Sequence, residues 1–258
     1  MGRTAAFFDL DKTVIAKSSV LAFGRAFYKG GLITRRMVAQ GAFAQFRYVL
    51  RGTTSNQMEE VKNRLAALCE GWSVDQVSAI IAGSLQDRIA PIVYAEAAAL
   101  IEEHRAAGRD VVIVSSAGAE VVRPIAAMLG VEHVVATELA IADGRYTGEV
   151  LTYPAGEGKV EAMVRIAEAA GYRLEDCYAY SDSITDVPML AAVGHPTAVN
   201  PDKELRAVAA HRGWPVRDFR KPKKSGPTSR QIALGSAAVA VGVLLGWLWF
   251  GRHDDPDN

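Results

Sequence analysis

Nine residues near the N-terminus constrain this chain more than any other stretch: Ala5-Ala6-Phe7-Phe8-Asp9-Leu10-Asp11-Lys12-Thr13. An apolar run of strand length stops abruptly at two carboxylates, spaced i and i+2. The run is short and rich in Phe, which predicts a buried parallel strand. Open α/β sheets place their ligands beyond the carboxyl ends of such strands. Two acids there repel each other and lose hydration, so a cation has to compensate. Hard oxygen donors of this kind suit Mg²⁺. The pattern points to one Asp as nucleophile and the other as proton donor, with a divalent ion between them and a phosphate. Taken alone, the same residues also fit a strand ending in a solvated acidic turn.

The rest of the chain has room for such a sheet. Its 258 residues suffice for a core domain and a smaller inserted one. Lys and Arg number 29, Asp and Glu number 29, and the balance gives no bulk charge for a nucleic-acid partner. Cys69 and Cys177 lie far apart without metal-ligand spacing. They read as buried reduced thiols of a cytosolic domain. The first strand begins almost at once, which argues against a signal peptide.

After Thr13 the strand pattern stops until about Ala90. Ser19 opens a helix whose apolar spacing runs to Phe27. Residues 37–50 mix Phe43, Phe46 and Tyr48 with Arg47, and Arg35, Arg36 and Arg51 flank them. That face fits either solvent or acidic lipid headgroups. Thr54-Ser55-Asn56 caps a further helix, and Ser73 begins another over 74–85. An all-helical insertion at 17–91 between two halves of an α/β core, 1–16 and 92–217, is the expected organisation. A helix over 94–107 then ends at Gly108. Val111-Val112-Ile113-Val114 forms a strand closed by Ser115-Ser116, a junction that offers a hydroxyl and backbone N–H groups to an anion. It also fits an ordinary helix cap at Ser116. A short strand at 133–137 precedes a hairpin over 139–151 that turns at Asp143-Gly144. Gly156-Glu157-Gly158-Lys159 opens the next helix. A lysine there opposes the helix dipole, and a bound phosphate gives a reason for it. After the strand 177–180, Ser181-Asp182-Ser183-Ile184-Thr185-Asp186 places two acids four apart. Strands at 195–201 and 214–217 complete the pattern, and His195 reads as structural.

Taken in order, Asp9-Leu10-Asp11-Lys12-Thr13, Ser115, Lys159 and the Asp182–Asp186 loop resemble the four motifs of the haloacid dehalogenase-like superfamily of phosphotransferases. The spacing of Lys159 and Asp182 is most similar to the phosphoserine-phosphatase-like branch. The resemblance implies a Rossmann-like parallel core with a helical cap and a Mg²⁺-dependent phosphomonoester hydrolase. It implies Asp9 as nucleophile, Asp11 as acid and base, and Ser115 and Lys159 as phosphate holders. It also implies Asp9, Asp11 (through its backbone region), Asp182 and Asp186 around the metal. Asp186 would act through water or by holding Lys159. Two departures bear on the substrate. Ser18 stands where that branch has a Glu that reads the serine amine, and Thr185 replaces a phosphate-positioning Asn. A phosphorylated small molecule and a lipid phosphate both remain open as substrate. A silent phosphate-binding scaffold, or a phosphotransferase to an acceptor other than water, would use the same residues.

The C-terminus carries a separate signal. Nineteen residues, 232–250, contain no charge. That length spans a hydrocarbon core of roughly 30 Å. Trp247 and Trp249 sit at one end as interfacial aromatics do. The basic linker 218–231 precedes the run, and the polar tail 251–258 with Asp254, Asp255 and Asp257 follows it. The expectation is one transmembrane helix, with the catalytic domain anchored on the cytoplasmic side. Gly242 and Gly246 form a small-xxx-small pair that would suit a homodimer.

Overall fold

The computed structural model describes residues 3–34, 63 and 66–220. β1 (Ala5–Phe8) lies at the centre of a seven-stranded sheet, parallel to β2 (Asp110–Gly118) on one side and β5 (Tyr178–Ser181) on the other. Beyond β2 come β3 (His133–Ala142) and β4 (Arg145–Thr152), and beyond β5 come β6 (His195–Val199) and β7 (Val216–Arg217). Every pair is parallel except β3–β4. The central position explains the sequence of β1. All four of its residues are buried, so neither face tolerates a polar side chain.

Alternation divides the core in two. Ala6 and Phe8 join a cluster with Ile113, Leu100, Ile101, Val122 and Ile125. The last four belong to the helices Ala95–Ala106 and Ala119–Met128. Ala5 and Phe7 face the other way, onto Met163, Met189 and Leu205. These lie on the helices Glu157–Ala170, Val187–Ala191 and Lys203–Arg212. With Ser19–Lys29, Val74–Ala82 and the short Leu85–Arg88 counted first, these helices are labelled α1 to α8 in chain order; residues 63 and 66–69 are helical as well and carry no label. The expected parallel α/β core is what the chain builds.

Several local expectations need correction. β2 runs on through Ser115 and Ser116 to Gly118, and α5 is capped by Gly118 rather than Ser116. The expected strand 133–137 and the first hairpin strand are one element, β3. Its first part pairs with β2 and its second part with β4, and register shifts let the strand bend between them. The hairpin turn falls where expected. Asp143 and Gly144 have φ of 49° and 71°, the paired positive values a two-residue turn requires. α2 ends at Ala82, at the Gly83 C-cap, instead of running to residue 85.

The insertion is not purely helical among its described residues. Ser73 forms an antiparallel bridge with Arg145. Gly71 donates to the Tyr146 carbonyl and Tyr146 donates back to Trp72. This covers the outer edge of β4, which an open sheet would leave unpaired. The basic, aromatic stretch 37–50 and the cap 54–56 lie outside the described residues. So do most of the basic linker, the expected transmembrane segment 232–250 and the polar tail. Among the described residues no helix is long and apolar enough to cross a membrane.

One buried polar group under the sheet was not anticipated. His104 of α4 is 2% exposed and packs edge-on to Phe8. Its Nε2 lies 2.8 Å from the Tyr180 hydroxyl, and Arg109 is 3.3 Å from Nδ1. Arg109 can only donate, so Nδ1 accepts and Nε2 carries the proton. Burial, helped by Arg109 and Arg217, lowers the His104 pKa to about 4 from 6.5. The unfolded chain therefore binds an extra proton between these values. Its contribution to stability is complete above pH 6.5 and declines as pH falls towards 4, by roughly 3 kcal/mol in all. Urea denaturation of the wild type against His104→Phe isolates the effect. The gap between them should narrow on acidification across this window, and a constant gap would refute the assignment.

Candidate active site

The three central strands stay in register up to the end of β1. Phe8 pairs with Ile113 on β2 and with Tyr180 on β5. Continuing these registers puts Asp9 beside Val114 and Ser181, and Leu10 beside Ser115 and Asp182. The Asp9 N–H still donates to the Tyr180 carbonyl at 2.9 Å, so the ladder extends one residue past the strand. Asp9, Ser115, Ser181 and Asp182 thus reach one edge of the sheet, and all four are buried.

Lys159 comes to them from α6. The backbone at its approach is specific to glycine. Gly156 has φ of 54°, and a Cβ on Gly158 would meet the Tyr153 carbonyl oxygen at 2.9 Å. This tight entry leaves Lys159 in the first helical turn, 3% exposed. Its Nζ donates to Asp9 Oδ1 at 2.6 Å and to Asp186 Oδ2 at 2.7 Å. The ammonium is held by two carboxylates, which offsets both its burial and its unfavourable place on the helix dipole. Burial presses its pKa down, but Asp9 and Asp186 outweigh that and the net shift is upward.

The remaining acids divide the work. Asp186 Oδ2 also accepts from the Ser181 hydroxyl at 2.6 Å. Of the two roles expected of Asp186, holding Lys159 is the one its contacts support. Asp11 Oδ1 accepts from the Ser19 N–H at 2.8 Å, which fixes the carboxyl at the start of α1. Burial raises the Asp11 pKa, partly countered by hydrogen bonds from Ser19 and Ser18. Burial likewise pushes Asp9 up to about 7 against the pull of Lys159, and Asp182 up to about 6 against that of Lys12. Ser115 accepts from the Ala117 N–H at 3.2 Å.

Among the described residues no three His, Cys, Asp or Glu side chains form a ready metal cage. Mg²⁺ needs none, since it commonly takes one or two carboxylates and completes its shell with water and phosphate oxygens. Asp9 and Asp182 are hard oxygen donors that burial leaves short of compensating charge, so the donor set fits that ion.

Two contributors were not read from the sequence. Ser181 orients Asp186, and Asp202 holds the Asp182 loop. Asp202 accepts from Ile184 N–H at 2.9 Å, and its own N–H donates to the Asp182 carbonyl at 2.8 Å. Asp202 is also the N-cap of α8, accepting from Leu205 N–H. A cap signal at that position was available in Asn200-Pro201-Asp202. Thr185, expected where phosphate is positioned, is exposed and pairs with the Ser183 hydroxyl at 3.0 Å. His195 stacks on Tyr178, on a strand end opposite this edge.

Comparison with known proteins identifies the family. The family model for haloacid dehalogenase-like hydrolases matches residues 6–191. An "Inhibition of morphological differentiation protein" from Streptomyces azureus is 52% identical, over 97% of this chain and 94% of its own length. A probable phosphatase from Mycobacterium tuberculosis is 51% identical, over 94% and 86%. A phosphoserine phosphatase from the same organism is 35% identical, over 93% and 79%. Among solved structures, a Bordetella pertussis protein of unknown function superposes with a TM-score of 0.74 at 32% identity, over 84% of this chain and 99% of its own. A phosphoserine phosphatase in a phospho-aspartyl intermediate analogue form superposes at 0.58 with 21% identity, over 86% and 95%, a likeness of fold.

The ion triplet gives a direct expectation. Lys159→Met leaves two buried carboxylates facing each other, and should cost about 3–5 kcal/mol of stability in metal-free protein. An unchanged urea midpoint would show that Lys159 does not compensate Asp9 and Asp186.

Proposed function

The chain belongs to the haloacid dehalogenase-like hydrolase family, and from that premise we propose that it hydrolyses a phosphomonoester through an aspartyl-phosphate on Asp9, with Mg²⁺ as its cofactor. The observation that carries the reading is the buried Lys159 ammonium shared by Asp9 and Asp186 at the carboxyl edge of the sheet. It pulls Asp9 towards the ionised, nucleophilic form against the effect of burial and supplies positive charge where a phosphoryl group would arrive. The names of the phosphatase relatives point the same way.

Each residue then has a stated task. Asp9 attacks phosphorus in line with the leaving oxygen, and the P–O bond to the alcohol breaks. Asp11, whose pKa burial raises, donates its proton to the departing alkoxide. It then removes a proton from the water that attacks the acyl phosphate, which restores Asp9 and releases phosphate. Lys159 and the Ser115 hydroxyl hold the equatorial oxygens, whose charge the transition state spreads. Asp186 and Ser181 keep Lys159 in place. Mg²⁺, when bound by Asp9, Asp182 and the backbone near Asp11, would offset charge between the phosphate and its nucleophile. Residues 17–91 are proposed as the cap that selects the leaving group.

The uncharged run 232–250, behind its basic linker, is proposed to tether the enzyme to the inner face of a membrane. Deleting residues 225–258 should move the protein from the membrane to the soluble fraction, and unchanged fractionation would remove the tether from this account.

Phosphate release from a broad panel of phosphomonoesters tests the chemistry. Asp9→Asn should lower kcat by at least ~10³-fold, and Asp11→Asn by ~10²–10⁴-fold. Chelation should abolish turnover and added Mg²⁺ should restore it. Wild-type rates in Asp9→Asn would overturn the nucleophile assignment.

A further inference from the structure

Beside the phosphate edge lies a cavity of about 320 Å³. One side is formed by α1, residues 66–72 and α2, and the other by the end of β2, α5 and the β3–β4 hairpin. Its walls are almost wholly apolar, with Phe27, Trp72, Leu139 and Val150 among them. Asp11, the proposed proton donor, is part of the lining, so the cavity adjoins the place a leaving oxygen would occupy. Val20 and Leu21, also in the lining, are 41% and 53% exposed. Apolar surface left open at this point is suited to an apolar ligand rather than to water.

The charges in the lining are one-sided. Among the described residues that form it, Asp11 and Glu120 are the charged side chains, and there is no Lys, Arg or His. An alcohol bearing a carboxylate or a second phosphate would lose its hydration here and meet two acids, with no cation among the described lining residues to receive it. The Tyr146 hydroxyl points to the same conclusion from a second direction. It is buried and lines the cavity beside the Glu120 carboxylate. Burial and the nearby Glu120 carboxylate both raise its pKa. Burial and Glu120 also push the Cys69 thiol up to about 11. The charge of Glu120 is therefore felt inside the cavity. The Glu120 carboxylate also lies over Gly118, where a Cβ would meet Oε2 at 3.1 Å. Glu120 sits in the first turn of α5, where an acid complements the helix dipole. That structural role predicts no effect on substrate charge, and the two are separable.

We propose that this cavity takes the alcohol part of the phosphomonoester, that this alcohol has an apolar body with a cationic or hydrogen-bond-donating group, and that Glu120 with Tyr146 reads that group. The inference rests on the phosphatase reading above and narrows it. Phosphoserine, which carries a carboxylate next to its ammonium, is a poor fit.

The test uses the full-length protein in detergent with Mg²⁺. Phosphate release is measured from 6-aminohexyl phosphate, hexyl phosphate, 6-phosphooxyhexanoate and phosphoserine, with acetyl phosphate as a minimal substrate. The aminohexyl ester should exceed the hexanoate ester and phosphoserine in kcat/KM by at least ~10-fold, with hexyl phosphate between. Glu120→Gln should bring the aminohexyl and hexyl esters to within about 2-fold of each other, and Glu120→Asp should restore part of the gap. Equal rates for the anionic and cationic esters, or an aminohexyl preference untouched by Glu120→Gln, would overturn the inference while leaving the phosphatase reading intact. Release from none of the five, acetyl phosphate included, would overturn the phosphatase reading and this inference with it.

Discussion

One buried ammonium holds the functional edge of this molecule together. Lys159 joins three parts of the chain that are far apart in sequence: the end of β1 through Asp9, the loop after β5 through Asp186, and the start of α6. Its cost in desolvation is several kcal/mol unless both carboxylates stay in place. The pairing therefore works in both directions. The fold needs the acids to keep the lysine, and the acids need the lysine to stay ionised at a site from which water is largely excluded. Two strongly glycine-dependent positions, Gly156 and Gly158, make the geometry reachable.

Around that triplet the parts act as a graded series of environments for carboxylates. Asp9 is tied to an ammonium and suited to attack. Asp11 is turned towards the insertion and held by a backbone N–H, with burial favouring its protonated form. For Asp182, Lys12 and a backbone hydrogen bond do not outweigh burial and the neighbouring Asp186, which leaves it receptive to a cation. The same residue type is thus given different chemistry by its surroundings. Beyond Asp11 the environment changes again to apolar walls, and the segment 71–74, bonded to β4, fixes that side of the cavity.

Much of this was legible in the residues. Four apolar positions ending in Asp9 and Asp11 announce a central strand because only a strand buried on both faces has that composition. The Asp143-Gly144 turn was legible because few dipeptides accept positive φ twice. The partnership of Lys159 and Asp186 was legible as one of two roles, since a lysine in a first helical turn needs an anion, but the sequence does not say which anion. The continuation of β2 through Ser115 to Gly118 was not legible. Ser and Gly signal a helix cap locally, and pairing with β3 overrides that preference. The bridge between Ser73 and Arg145 was hidden for a similar reason: edge pairing depends on a partner 72 residues away and leaves no local period. His104 was missed because a single polar residue on an apolar helix face looks the same whether it is buried with a tyrosine or solvated.

The central claim is that Asp9 becomes phosphorylated during turnover. Rapid quenching of the enzyme with Mg²⁺ and a turned-over phosphomonoester, followed by borohydride reduction and peptide mass spectrometry, reads this out, because an aspartyl-phosphate is reduced to homoserine. The account predicts homoserine at position 9 and at no other aspartate. Homoserine at another aspartate, or turnover with unmodified Asp9 at every quench time, would contradict it.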